Sequence, residues 1–131
     1  MDRLASFSLL LLLTLSIVSS SMADFKANVF NSLPGNADLA VHCKSAGSDL
    51  GTQTITYNHD FTWTINNVLN CDLSWGTVKG NFDLYDPKRD AARCAYANTC
   101  FWRAQPDGLY LFIKDHKRLE LQFKWPGKIL A

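Results

Sequence analysis

The chain has 131 residues, with 13 Lys plus Arg against 12 Asp plus Glu and four cysteines. This near balance of charge argues against nucleic acid as a partner, because phosphate binding needs a concentrated positive surface. The length leaves room for one ordinary domain and excludes a large multidomain machine.

In chain order, the first segment differs from the rest. Asp2 and Arg3 precede Leu9 to Leu13, Thr14, Leu15, Ser16, Ile17 and Val18, and small residues then end in Ser21-Met22-Ala23. This pattern predicts a signal peptide over residues 1–23 with cleavage after Ala23. The apolar run stops near ten residues, whereas a helix spanning a bilayer needs about twenty. No membrane insertion is expected. Removing 23 of the 131 residues leaves 108, Asp24 to Ala131, as one domain that keeps 12 Lys plus Arg and 11 Asp plus Glu. The chain ends Lys128-Ile129-Leu130-Ala131 without an endoplasmic-reticulum retrieval signal, so the expected location is extracellular.

Period-two alternation then recurs. Leu39, Val41 and Cys43 alternate with Asp38, Ala40 and His42, and Phe61, Trp63 and Ile65 with Asp60, Thr62 and Thr64. Cys71, Leu73 and Trp75, then Phe82 and Leu84, then Leu119, Leu121 and Phe123 repeat it. Such segments are half-buried strands. Leu109 to Ile113 is apolar throughout, which predicts a central strand covered on both sides. Turn signals separate these runs; Asp107-Gly108 is the strongest, predicting a tight hairpin with glycine at positive φ. No apolar stripe is long enough for a helix. Eight or so short strands predict an all-β fold, a small antiparallel β-sandwich, immunoglobulin-like or barrel-like.

Cys43, Cys71, Cys94 and Cys100 all follow the leader, and an even count in a short secreted chain predicts two disulfides. Zinc is disfavoured, because there is no Cys-x-x-Cys pair and His42 adjoins Cys43. Three connectivities are open. A Cys94 to Cys100 bridge closes a small loop worth ~2.4 kcal/mol, against ~4 kcal/mol for a long-range bridge from Cys43, so loop-closure entropy leans toward Cys43 with Cys100 and Cys71 with Cys94.

Val41-His42-Cys43-Lys44-Ser45 and Asp49-Leu50-Gly51 resemble the start of the plant self-incompatibility protein family, the S-protein homologues. Phe61-Thr62-Trp63-Thr64-Ile65, Leu69-Asn70-Cys71, Ser74-Trp75, Phe82-Asp83-Leu84-Tyr85, Cys94, Cys100-Phe101-Trp102 and Asp107-Gly108-Leu109-Tyr110 continue the resemblance in order. The resemblance implies a secreted plant β-sandwich with two disulfides. It also implies kinship with pistil-borne determinants that arrest incompatible pollen tubes. The chain has no Asn-x-Ser/Thr acceptor, so glycosylation at a standard site is not expected.

Three histidines, His42, His59 and His116, raise the alternative of a small secreted hydrolase using His42 or His116 as general acid or base. Nothing in their spacing brings two together. There is no Gly-x-Ser-x-Gly elbow and no His-Glu-x-x-His, and Glu120 is the single glutamate. Trp63, Trp75, Trp102 and Trp125 could form a sugar platform, but most fall on strand phases that predict burial, Trp125 being the least certain to be buried. The charged stretch Asp86-Pro87-Lys88-Arg89-Asp90-Ala91-Ala92-Arg93 abuts Cys94. Lys88, Arg89 and Arg93 are therefore expected to be presented to a partner from a loop on a rigid scaffold. The combined expectation is a non-enzymatic, monomeric, cofactor-free extracellular ligand for a cell-surface or extracellular protein in plant cell-to-cell signalling. A defence or inhibitor module binding a foreign protein or glycan is the other alternative.

Overall fold

Side chains that alternate along a strand point to opposite faces, so each half-apolar segment needs a second layer to cover its apolar side. In the computed structural model, which describes residues 25–94 and 97–127, two sheets provide that cover for each other. The leader expected over residues 1–23 lies outside the described residues.

The strands are β1 (Phe25–Asn31), β2 (Leu39–Ser45), β3 (Ser48–Ile55), β4 (Asp60–Ile65), β5 (Leu69–Trp75), β6 (Val78–Tyr85), β7 (Thr99–Gln105), β8 (Gly108–Ile113) and β9 (Arg118–Lys124). A short helix, α1, covers Pro87–Asp90, and a 3₁₀ turn covers Pro34–Asn36. The five-stranded sheet runs β4-β1-β7-β8-β9 and the four-stranded sheet β3-β2-β5-β6. All pairings are antiparallel except β1 with β7, which is parallel. The all-β sandwich expected from the alternation is the observed fold.

The core lies between the inner faces. Ala27, Val29, Trp63, Ile65, Trp102, Leu109 and Leu111 from one sheet meet Leu39, Val41, Leu69, Leu73 and Leu84 from the other. Trp102 also donates its indole N–H to the Leu84 carbonyl at 2.8 Å, a hydrogen bond from sheet to sheet. Asn31 is fully buried and satisfied. Its amide donates to Ala37 O and Ile55 O at 2.8 and 2.9 Å and its carbonyl accepts from Leu33 N–H, fastening the end of β1 to the segment before β2 and to the end of β3.

Three sequence expectations are corrected. The disulfides join Cys43 to Cys71 and Cys94 to Cys100, not Cys43 to Cys100 and Cys71 to Cys94. Loop entropy ranks bridges in an unfolded chain, whereas native geometry decides which sulfurs meet. Cys43 and Cys71 are register partners on adjacent β2 and β5, with Cα atoms 4.0 Å apart, while Cys100 belongs to β7 of the opposite sheet. Second, β8 is interior to its sheet, but Tyr110 and Phe112 point outward and are only half-buried, because no further layer among the described residues covers that face. Third, Gly108 does not take a positive φ. It is needed because a Cβ there would collide with the Phe123 carbonyl oxygen across the hairpin. A turn that does use positive φ is Ala46-Gly47, with φ of 50° and 78°, joining β2 to β3, as a two-residue hairpin demands.

Candidate recognition site

The charged stretch folds into a cap on one end of the sandwich. Asp86 is the N-cap of α1, accepting from Lys88 N–H at 3.0 Å, and Pro87 opens the helix where its missing N–H is harmless. Asp90 at the end of that turn is fully buried. Arg89 grips its carboxylate with two donors at 2.8 and 2.7 Å, Arg93 adds one at 2.7 Å, and Asp86 N–H one at 2.9 Å. Arg89 also donates to Asp83 O and lies over the Phe123 ring, and Arg93 donates to Gln122 Oε1 on β9 at 2.6 Å. Burial alone would raise the Asp90 pKa, but the hydrogen bonds from Arg89, Asp86 and Arg93 outweigh it and hold the carboxyl below its ordinary value. The hydrogen bond to Asp90 raises the Arg89 pKa in turn.

Arg89 and Arg93 thus differ from the expectation of a free recognition loop. A buried carboxylate needs charged partners, and these two arginines supply them. Lys88 stays exposed on α1.

The histidines occupy separate sites. His42 Nε2 is 2.7 Å from Asp49 on the β2–β3 hairpin, His59 bonds Thr56 and the Tyr57 carbonyl within its own turn, and His116 Nδ1 is 2.6 Å from Glu120. The Gly51 backbone N–H, followed by His42, lowers the Asp49 pKa, and the His116 hydrogen bond lowers that of Glu120. Among the described residues no histidine bonds another, and no group of three or more His, Cys, Asp or Glu could hold a metal ion. Trp63, Trp102 and Trp125 are buried and Trp75 half-buried. Trp125, the least expected of them in the core, donates to Gln105 O at 2.7 Å.

The exposed aromatic surface lies elsewhere. On the outer face of the five-stranded sheet, Phe30 (β1), Phe101 (β7), Phe112 (β8) and Leu119 (β9) line an open groove of about 1210 Å³. Phe101 is 40% exposed. The register explains the cluster: Asn28 pairs with Phe101, Phe30 with Arg103, and Phe112 with Leu119, so one row after another delivers an apolar side chain to the same face. Arg103 lies 5.2 Å from the centroid of Phe30, and Lys114 and Lys117 of the β8–β9 turn complete the positive side of the rim. None of these three cations has a carboxylate within 4.0 Å among the described residues. Two carboxylates also line the groove, Asp60 and Asp115; Asp60 accepts from Asn28 Nδ2 at 2.7 Å. The available signal in the sequence was the unbroken apolar run from Leu109 to Ile113, read as cover on both faces, whose Phe112 instead lines the groove; Phe101 carried no separate signal.

No helix among the described residues is long and apolar enough to cross a membrane. The profile of the family described as plant self-incompatibility protein S1 matches residues 26–125. The chain is 31% identical over 100 residues to self-incompatibility protein S1 of Papaver rhoeas, covering 70% of each chain. It is 33% identical over 94 residues to S-protein homolog 24 of Arabidopsis thaliana, covering 66% of this chain and 61% of that one. The fold matches a solved self-incompatibility protein homologue, from a family described as small, highly stable, secreted plant proteins. That match has a TM-score of 0.63 at 16% identity, covering 81% of this chain and 97% of the other. The match across residues 26–125, together with the disulfide-bridged sandwich, shows that this chain belongs to the plant self-incompatibility S1 family, the S-protein homologues.

Proposed function

We propose that the protein is an extracellular recognition factor in plant cell-to-cell signalling, in reproduction or development, that binds a cell-surface or extracellular protein through the outer face of its five-stranded sheet. The observation that carries this reading is the groove of Phe30, Phe101, Phe112 and Leu119 with its cationic rim. Contiguous exposed apolar surface rimmed by polar groups marks interaction sites, and aromatic residues and arginine are enriched at binding hot spots. The floor of the groove sits on strands rather than loops, so little entropy is lost in ordering it when a partner docks. Lys88, exposed at the neighbouring cap, adds a charge that steers encounter without joining the contact. The protein acts as a monomer and needs no cofactor for this role.

The test is saturable binding of the fluorescently labelled secreted chain to intact plant cells of successive tissues. Phe101→Asp should abolish binding while leaving the thermal midpoint nearly unchanged. Binding that survives Phe101→Asp at full affinity would place the recognition surface elsewhere.

A further inference from the structure

Resting on the reading of the groove as a docking site, we infer its occupant: a segment of a partner protein in which bulky apolar side chains stand beside carboxylates. The floor selects the apolar part. Phe30, Phe101, Phe112 and Leu119 form a concave surface, and concave apolar grooves take anchor side chains from a strand or helix laid into them. The rim selects the charge. Arg103, Lys114 and Lys117 stand against Asp60 and Asp115, an excess of one positive charge, and Asp60 is already engaged by Asn28.

Two other occupants fit less well. Insertion into a lipid surface needs apolar groups that protrude, as on an amphipathic helix, and here they form the floor of a groove. A second copy docking by two-fold symmetry would set the same patch against itself, confronting the excess positive rim with its like.

The experiment selects phage-displayed random dodecapeptides on the secreted chain, with Phe101→Ala and the double variant Lys114→Glu/Lys117→Glu in parallel, each checked for an unchanged thermal midpoint. Peptides enriched on the parent should carry Asp or Glu next to Phe, Leu, Ile or Trp. A synthetic peptide of the enriched sequence should bind at least about tenfold more weakly to either variant, and its affinity for the parent should fall with added salt. The double variant should itself enrich peptides bearing Lys or Arg instead.

Groove-dependent enrichment of neutral or basic sequences on the parent would overturn the inferred chemistry and leave the docking site standing. Enrichment insensitive to both variants, while cell binding still requires Phe101, would likewise overturn it. Loss of the Phe101 requirement in cell binding would bring down the parent reading as well. Oligogalacturonate, phosphatidylserine vesicles and the chain itself, assayed for association, are the remaining arms; groove-dependent binding of any of them in the absence of peptide enrichment would assign the site to a glycan, a membrane or a second copy.

Discussion

The two cationic clusters of this protein have similar sequences of charge and opposite physical roles. Around α1, Arg89 and Arg93 converge on the buried carboxylate of Asp90 and are tied to Asp83 O and Gln122. Around the β8–β9 turn, Lys114 and Lys117, with Arg103 beside them, have no carboxylate within ion-pair distance among the described residues and edge an apolar groove. A cation whose charge is spent inside the fold stabilises it; one whose charge is left over at the rim of a groove is available to a partner. Clustering of charge along the chain does not distinguish these cases, because the distinction depends on which side chain is buried next to it.

The contrast can be broken most severely at Asp90. Asp90→Ala removes the group that three donors residues share and leaves two arginines facing a buried gap, so unfolding free energy should fall by ~3–5 kcal/mol. Urea denaturation measures it, and a loss below that of an ordinary surface substitution would show that the cap is not an integral part of the fold. Arg93→Ala should cost less, about 1.5–3 kcal/mol, because Arg89 still neutralises Asp90 while the bond to Gln122 is lost. A double-mutant cycle between Arg93 and Asp90 would sharpen this by isolating their coupling.

The same pair predicts a pH dependence. The folded-state pKa of Asp90 lies below its unfolded value, so its stabilising contribution is complete above the unfolded pKa of about 3.9 and is lost as pH falls from there through the folded value. Stability curves of the parent and of Asp90→Asn should therefore run parallel above about pH 4 and converge as the pH falls below it. Curves that stayed parallel down through that range would remove the linkage. The smallest effect belongs to the other cluster: Lys114→Glu/Lys117→Glu should shift stability by no more than about 0.5 kcal/mol, measured by the same denaturation, with its consequence confined to binding. A large loss of stability there would mean that these lysines also serve the fold.

Much of the architecture was legible along the chain because burial on one face imposes alternation. β2, β4, β5, β6 and β9 each carry it, β8 shows instead as a continuous apolar run, and the all-β sandwich follows from their number and spacing. The even cysteine count likewise predicted two bridges and no free thiol. Three strands escaped. β7 carries Phe101 and Arg103 between Cys100, Trp102 and Ala104, so bulky side chains stand on both phases. β1 sends the polar Asn31 inward, where hydrogen bonds satisfy it. β3 is an edge strand exposed along most of its length and interrupted by Gly51 at φ 80°, so it has little apolar phase to show.

What local pattern could not supply was proximity between distant segments. The pairing of Cys43 with Cys71 exists because β2 and β5 are neighbours in register. The inward turn of Arg89 and Arg93 exists because α1 closes over the end of the sandwich and buries Asp90. The groove exists because β1, β7, β8 and β9 lie side by side in an order that the chain does not follow. Alternation is a local consequence of strand geometry and is written in consecutive residues. Which strands become neighbours is settled by the packing of two whole sheets against one core, and the disulfide pairing, the buried ion cluster and the exposed aromatic groove are all consequences of that choice.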